Sequence, residues 1–214
     1  MTPGSSRHSG EMHVSRKFSA LWGAAIAFSL MASPAAAQRV SDGYAFLKAV
    51  KDRDGAAATN LVATPGSVII NSTERDTGEG ALHIIVRERD LTWLGFLLGK
   101  DARVDLQNDQ GDTPLALAAQ IGWVEGAQVL LGTRASVDLA NNRGETPLIL
   151  AVHRRDLPMV RLLVGAGANP AHTDNVAGYS ALDYAKRDSR SAGIVRLLEE
   201  GAAKPKREIS GPVL

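Results

Sequence analysis

Thr113-Pro114-Leu115 returns as Thr146-Pro147-Leu148, and the residues around the two motifs repeat as well. Asp112-Thr-Pro-Leu-Ala-Leu-Ala-Ala119 comes back, altered, as Glu145-Thr-Pro-Leu-Ile-Leu-Ala-Val152. Self-similarity at a fixed period, here roughly 33 residues, marks a repeat protein. A chain of that kind forms no single core, because each unit buries its apolar face on its neighbours. The spacing therefore constrains the fold more tightly than length or composition does.

The motif has a local meaning too. Threonine before a helix accepts a backbone N–H, and proline at the first helical position lacks only a donor that would be orphaned anyway. Thr113 and Thr146 are thus expected to cap helices that begin at Pro114 and Pro147. Gly122 ends the first of these, and Val124 to Leu131 reads as a return helix with Ala127, Leu130 and Leu131 facing inward. In the next unit Leu157 to Val164 is the return helix, and Pro158 fits only within its first turn.

Weaker copies flank these two. Asp76-Thr-Gly-Glu-Gly-Ala-Leu-His83 opens a unit in which Gly78 aligns with Gly111 and Gly144, followed by helices to about Arg89 and over Leu91 to Leu98. Gly178-Tyr-Ser-Ala-Leu-Asp-Tyr-Ala-Lys186 opens another. Ser180 stands one position further from Thr146 than Thr146 does from Thr113, so one residue is inserted before it. Arg190, Arg196, Glu199 and Glu200 make its second half polar enough to close a stack. Residues 40–66 read as a degenerate first unit. One helix carries Ala45, Phe46, Ala49 and Val50 and ends at Gly55; a second runs from Ala56 to Ala63 before Pro65-Gly66. Ser67 to Thr73 is expected to be an extended connector. The units then span about 40–74, 75–107, 108–140, 141–173 and 174–203, and 204–214 is expected to be a disordered polar tail.

The first 37 residues differ. Arg16-Lys17 precedes an apolar run from Ala20 to Ala32, then Pro34 and Ala35-Ala36-Ala37. A basic start, a short apolar stretch, a helix breaker and a small-residue site read as a secretory signal peptide cleaved after Ala37, with Met12 a second candidate start. The run is shorter than the roughly 20 residues of a membrane span. The expected compartment is the periplasm of a Gram-negative bacterium, or the outside of the cell. Without that segment, 21 basic and 22 acidic residues are left of the 24 and 23 in the chain. Such a balance gives no electrostatic case for nucleic acid or an anionic membrane. There is no cysteine, which excludes disulfides, thiolate metal sites and thiol catalysis.

The pattern Gly-x-Thr-Pro-Leu, a helix ending near glycine, a second helix ending Leu-Leu and then Gly-Ala resembles the ankyrin repeat. Gly111–Ala135 and Gly144–Ala168 match it best, and Val40 to Ala203 follows its register. The resemblance implies an all-α solenoid of about five stacked helix-turn-helix units, L-shaped in section, with projecting β-turn fingers. The chain departs from it in places. The histidine after Thr-Pro-Leu survives only as His83, with Ala116, Ile149 and Asp183 elsewhere, which implies softer turns between units. Arg89, Arg155 and Ser189 stand in place of the glycine after the first helix.

Catalysis finds no constellation. His83, His153 and His172 occupy different repeat positions and form no i, i+4 pair for a metal. No Gly-x-Ser-x-Gly, P-loop or dinucleotide glycine motif is present. Gly165-Ala-Gly-Ala168 reads as a helix end, not a phosphate loop. Asp105, Asp109 and Asp112 lack the glycine and closing glutamate of a calcium loop. No catalytic, cofactor or metal residues are expected, and an enzyme on a repeat scaffold is the remote reading.

A binding surface is the expected function, taken by a monomer with another protein as partner. The resemblance implies contacts from finger tips and exposed first-helix positions. Here the tips are Asp76, Thr77 and Glu79; Asp109, Gln110 and Asp112; Asn142, Arg143 and Glu145; and Asn175 and Tyr179. The helix positions are Arg87 and Glu88, Gln120 and Ile121, His153 and Arg154, and Arg187 and Asp188. Trp93, beside Leu94 and Phe96, reads as core. Trp123 at a helix–helix turn is a candidate contact, with local packing as its alternative. A regulatory role is the second expectation: an inhibitor, immunity factor or accessory chaperone of one envelope enzyme.

Overall fold

The computed structural model describes residues 34–63 and 68–203. It holds ten α-helices in five antiparallel pairs: α1 (Pro34–Lys51) with α2 (Gly55–Val62), α3 (Ala81–Glu88) with α4 (Leu91–Leu98), α5 (Pro114–Ile121) with α6 (Val124–Gly132), α7 (Pro147–His153) with α8 (Leu157–Gly165), and α9 (Ala181–Arg187) with α10 (Ala192–Ala203). First helices pack in a row, α3 on α5, α5 on α7 and α7 on α9, and second helices pack likewise from α4 to α10. The result is the all-helical solenoid that the spacing predicts, with no strand among the described residues.

The helix starts follow the capping argument. The Thr113 hydroxyl accepts the Ala116 N–H at 3.1 Å, and the Thr146 hydroxyl accepts that of Ile149 at 3.4 Å. Pro114 and Pro147 open their helices, and Pro158 lies in the first turn of α8. Ser180 caps α9 in a reciprocal box, its hydroxyl accepting the Asp183 N–H while the Asp183 carboxylate accepts the Ser180 N–H. Gly122 leaves α5 with φ of 71°, the left-handed cap that suits glycine.

The first helices α3, α5 and α7 are short and buried almost all round. Leu115 to Ala119 of α5 and Leu148 to Val152 of α7 are inaccessible to solvent or nearly so. Alanine at Ala116, Ala118, Ala119 and Ala151 lets neighbouring helices approach closely, and Leu97, Leu130, Leu163 and Leu198 fill the space toward the second layer. At the far end Arg196, Glu199 and Glu200 of α10 face solvent.

Several local expectations are corrected. Gly55 does not end α1. It begins α2, whose N-cap Asp54 accepts the Ala57 N–H, while Arg53 makes the left-handed turn at φ of 61°. Leu47 is buried in α1 where the spacing predicts Ala45, and Ala45 is exposed. Past residue 67, a single 3-10 turn at Ile69–Asn71 stands in place of an extended connector, with Ile70 buried, and Thr73 then pairs with Gly80. Pro34 is the first residue of α1, which continues without a break through Ala37 and Gln38. The remainder of the expected signal segment, Met1 to Ser33, and the expected tail, 204–214, lie outside the described residues.

Candidate functional site: the fingers and the ends of the first helices

Between the helix pairs the chain makes tight turns that project from the helical layers. In the third and fourth units one asparagine organises each turn. The Asn108 side-chain oxygen accepts the N–H groups of Gln110 and Asp112, and that of Asn141 accepts those of Arg143 and Glu145. In the fifth, the Asp174 carboxylate accepts three consecutive N–H groups, from Val176, Ala177 and Gly178. These Asx-type turns hold the finger backbone by side-chain bonds of their own, beside or without a histidine staple. His83 does act as the staple. Its Nδ1 accepts the Gly80 N–H at 3.2 Å and its Nε2–H donates to the Asp112 carbonyl at 2.9 Å, across one repeat. Burial lowers the pKa of this imidazole, and the two hydrogen bonds fix its tautomer.

Successive fingers are also bonded to one another. The N–H groups of Asp109, Asn142 and Asn175 donate to the carbonyls of Thr77, Gln110 and Arg143, at 3.0, 3.0 and 2.8 Å. A second series joins the loop bases: Asn71 accepts the Arg103 N–H, Asp105 that of Ser136 and Asp138 that of Asn169, each at 2.8 or 2.9 Å. The Asp105 carboxylate is thereby engaged within the framework.

The expected contact residues separate into three groups. Glu79 and Asp112 are buried and are corrected as exposed finger tips, and Trp123 is buried as its local-packing alternative has it. Glu79 points back to the Arg87 guanidinium, with Nε to Oε1 at 2.9 Å. Asp112 accepts the Asn141 side-chain N–H at 2.9 Å. Trp123 is 4% exposed, and its ring lies flat over Gly126, where an added methyl would come within 2.0 Å of it.

A second group is accessible but engaged. Arg143 holds Glu145, with Nε to Oε2 at 2.8 Å, and Asn142 donates its side-chain N–H to the Asp109 carbonyl. Thr77 donates to Glu74, and Arg87 is tied to Glu79. Ile121 is half-buried against the core. Asp76, Asp109, Gln110, Gln120 and Arg154 form the third group: they are exposed and their side chains make no hydrogen bond or ion pair with any described residue.

The fifth unit adds a cluster that the sequence reading covered only in part. Tyr184 stands edge-on to His153 at 4.4 Å between ring centroids and to Tyr179 at 5.5 Å. The Arg187 guanidinium lies 4.6 Å over the Tyr179 ring and donates to its hydroxyl at 3.0 Å. Hydrogen bonding to the Asp174 carboxylate pushes the Tyr184 phenol up to about 12. The Arg190 backbone N–H and the Arg155 guanidinium bring the Asp188 carboxyl down to about 2. Of these, His153, Tyr184, Arg187 and Asp188, with Val152, Arg155 and Ser191, line a cleft of about 270 Å³. Tyr184 was legible in principle: it occupies the repeat position of Leu117 and Leu150, where a phenol is out of pattern. Trp93, expected in the core, is half-buried and carries Arg53 at 5.6 Å over its ring.

Among the described residues no group of acidic or histidine side chains is placed to hold a metal ion, and no helix is long and apolar enough to cross a membrane. The arrangement offers recognition by side chains fixed on a bonded framework. A family model described as ankyrin repeats, in three copies, matches residues 82–174 and 125–208. Repeats of that family are protein–protein interaction modules and are typically non-enzymatic. With the helix pairs, the finger ladder and more than half of the sequence matched, the chain belongs to the ankyrin repeat family.

Proposed function

We propose that the chain binds a partner protein through the face made by its finger tips and the exposed ends of its first helices. The observation that carries this is the third group of side chains. Asp76, Asp109, Gln110, Gln120 and Arg154 are held on bonded turns and short helices yet have no intramolecular partner among the described residues. Ordering a side chain at an interface costs about 0.5–1.5 kcal/mol, and a framework fixed beforehand reduces that cost. The His153, Tyr179, Tyr184 and Arg187 cluster supplies aromatic and cationic area beside them, the composition enriched where binding energy concentrates.

The partner belongs to the cell envelope or the exterior, on the reading of residues 16–37 as an export signal. An inhibitor, immunity factor or chaperone would use the same face, read out on the activity of one enzyme. The test is co-purification of partners with the wild type and with Asp109→Lys/Arg154→Glu. Both substitutions fall on exposed side chains that bond nothing described, so the melting temperature is expected to hold while the partner is lost. Equal recovery of every partner would sink the assignment. Mass spectrometry of protein from the native host is expected to find Gln38 as the N-terminus, and an intact residue 20–32 segment would overturn the export reading.

A further inference from the structure

The turn into α10 carries one residue more than the turn into α8. The stretch from Leu182 to Leu198 is one longer than that from Leu148 to Leu163, and a 3-10 turn at Ser189–Ser191 takes up the difference. That turn and the C-terminal ends of α7 and α9 supply the walls of the cleft of about 270 Å³ beside Tyr184. Two of its polar groups stand unanswered. Ser191 is 2% exposed, and its hydroxyl makes no hydrogen bond with any described residue, a condition that costs stability in the free chain. The Arg187 guanidinium lies over the Tyr179 ring and donates to its hydroxyl, but it has no carboxylate partner among the described residues. The carboxylates nearby are engaged elsewhere. Asp188 is paired with Arg155 and Arg190, Glu145 with Arg143, and Asp174 accepts from Tyr184 and from the backbone of its own turn.

The lining is therefore cationic in excess, and its free cation is already oriented. A guanidinium held by a ring face and by one hydrogen bond presents its remaining N–H groups as a fork, the shape that matches a carboxylate. The size of the cleft restricts what brings that carboxylate. Pockets that hold small molecules run to roughly 300–1,000 Å³, and this one is smaller, with room for one protruding side chain. Val152 and the Tyr184 ring give such a side chain an apolar wall for its methylene groups.

We propose that the cleft between the ends of α7 and α9 receives a glutamate or aspartate side chain projecting from an acidic segment of the partner protein, its carboxylate paired with Arg187 and meeting the Ser191 hydroxyl. This rests on the partner-protein reading above and adds the chemistry of what is bound.

The probe is a capped peptide, acetyl-Gly-Glu-Gly-Glu-Gly-amide, titrated into the full chain while the backbone amide NMR shifts are followed. Shifts centred on Arg187 and Ser191 are expected, with an affinity about tenfold or more above that of the glutamine counterpart, since hydrogen bonds to charged groups are the stronger ones. Arg187→Gln is expected to weaken binding about tenfold, and Arg187→Lys, which keeps the charge without the fork, by less. Ser191→Ala is expected to weaken it severalfold while the melting temperature holds or rises, because the hydroxyl it removes has no partner in the free chain. Lys100→Gln, which removes an exposed charge elsewhere, is expected to change nothing. Equal shifts from the two peptides, or an Arg187→Gln chain that binds as well as the wild type, overturn the inference. So does inorganic phosphate binding the same residues more tightly than the peptide does. The result is separable from that for the partner face. A partner lost through Asp109→Lys/Arg154→Glu with no response to the peptide sinks the carboxylate cleft alone. Peptide binding in the cleft with every partner retained by that variant supports the cleft and sinks the finger assignment alone.

Discussion

His83 is the residue at which chemistry and architecture meet. Its ring is inaccessible to solvent, and each nitrogen has one partner: Nδ1 accepts from Gly80, and Nε2–H donates to Asp112 of the next finger. Burial, which disfavours the charged ring, depresses the folded pKa below 6.5. Because the folded value is the lower one, the contribution of this group is complete above about pH 6.5. It falls by about 1.4 kcal/mol per pH unit below that, until the folded pKa is reached. Urea titrations at pH 8, 6 and 5 are expected to show this loss in the wild type and not in His83→Gln. At pH 8, His83→Ala is expected to cost about 1–3 kcal/mol, since the buried Gly80 N–H loses its acceptor. Gly144 gives a second test at this scale. Its left-handed backbone costs an alanine about 1–2 kcal/mol, and the Asn175 nitrogen 2.6 Å from the new methyl adds to that. Gly167 has φ of +93° but open space around it, so Gly167→Ala is expected to lose stability through the backbone conformation only. Thermal melts of the two variants check the difference, and equal losses would mean the ladder does not press on Gly144.

At the scale of the element, the turn into the second helix shows how one unit departs from its neighbours. Asp90 and Asp156 cap α4 and α8, each accepting the N–H three residues on, from Trp93 and Met159. In the third unit those two positions are Trp123 and Gly126, with no side-chain cap. The bulk has moved from the third helical position to the cap, and the indole fills the place left by the missing side chain. Gly126→Ala is therefore expected to destabilise by about 1–3 kcal/mol, the range for overpacking, although alanine is the better helix former. Gly95, mid-helix in α4 with open space around it, is expected to respond oppositely: Gly95→Ala stabilises by about 0.5–1 kcal/mol. Denaturation midpoints of the pair decide it, and the same sign for both would refute the account of Trp123. The arginines in left-handed turns belong to this scale as well. Arg53, Arg89 and Arg155 take the conformation that Gly122 takes, and each reaches into the next unit: Arg53 to Asp90, Arg89 to the Ile121 carbonyl and Arg155 to Asp188. The strained turn is thus tied across the repeat junction.

At the scale of the molecule, stability is a sum of units and junctions. The central helices α5 and α7 are covered on both sides, and α2 and α10 on one. Native-state hydrogen exchange is expected to find the slowest amides in α5 and α7 and the fastest in α2 and α10. Deleting residues 174–214 removes the cover of Leu163 and of α7 and is expected to lower the melting temperature of the remainder. An unchanged value would count against α9 and α10 as a structural cap. The same one-dimensional logic explains why the contact face is spread over several units, with side chains such as Asp109 and Arg154 in different repeats.

The repeat period, the helix starts at Thr113, Thr146 and Ser180, and the pairing of helices were legible in the sequence. Each depends on local chemistry: a capping hydroxyl, a proline without a donor, a glycine in a left-handed turn. The ankyrin resemblance rested on these motif residues, and the family match bears it out. What the local pattern could not decide was which side chains are free. Glu79, Asp112 and Asp105 look like solvated turn carboxylates in the sequence, and the tertiary structure gives them to Arg87, Asn141 and Ser136. Trp93 and Trp123 exchange their expected burial for the same reason. The partner of each side chain lies in the adjacent unit or across a helix turn, up to about one repeat away in sequence, and only the stacking of units brings the two together.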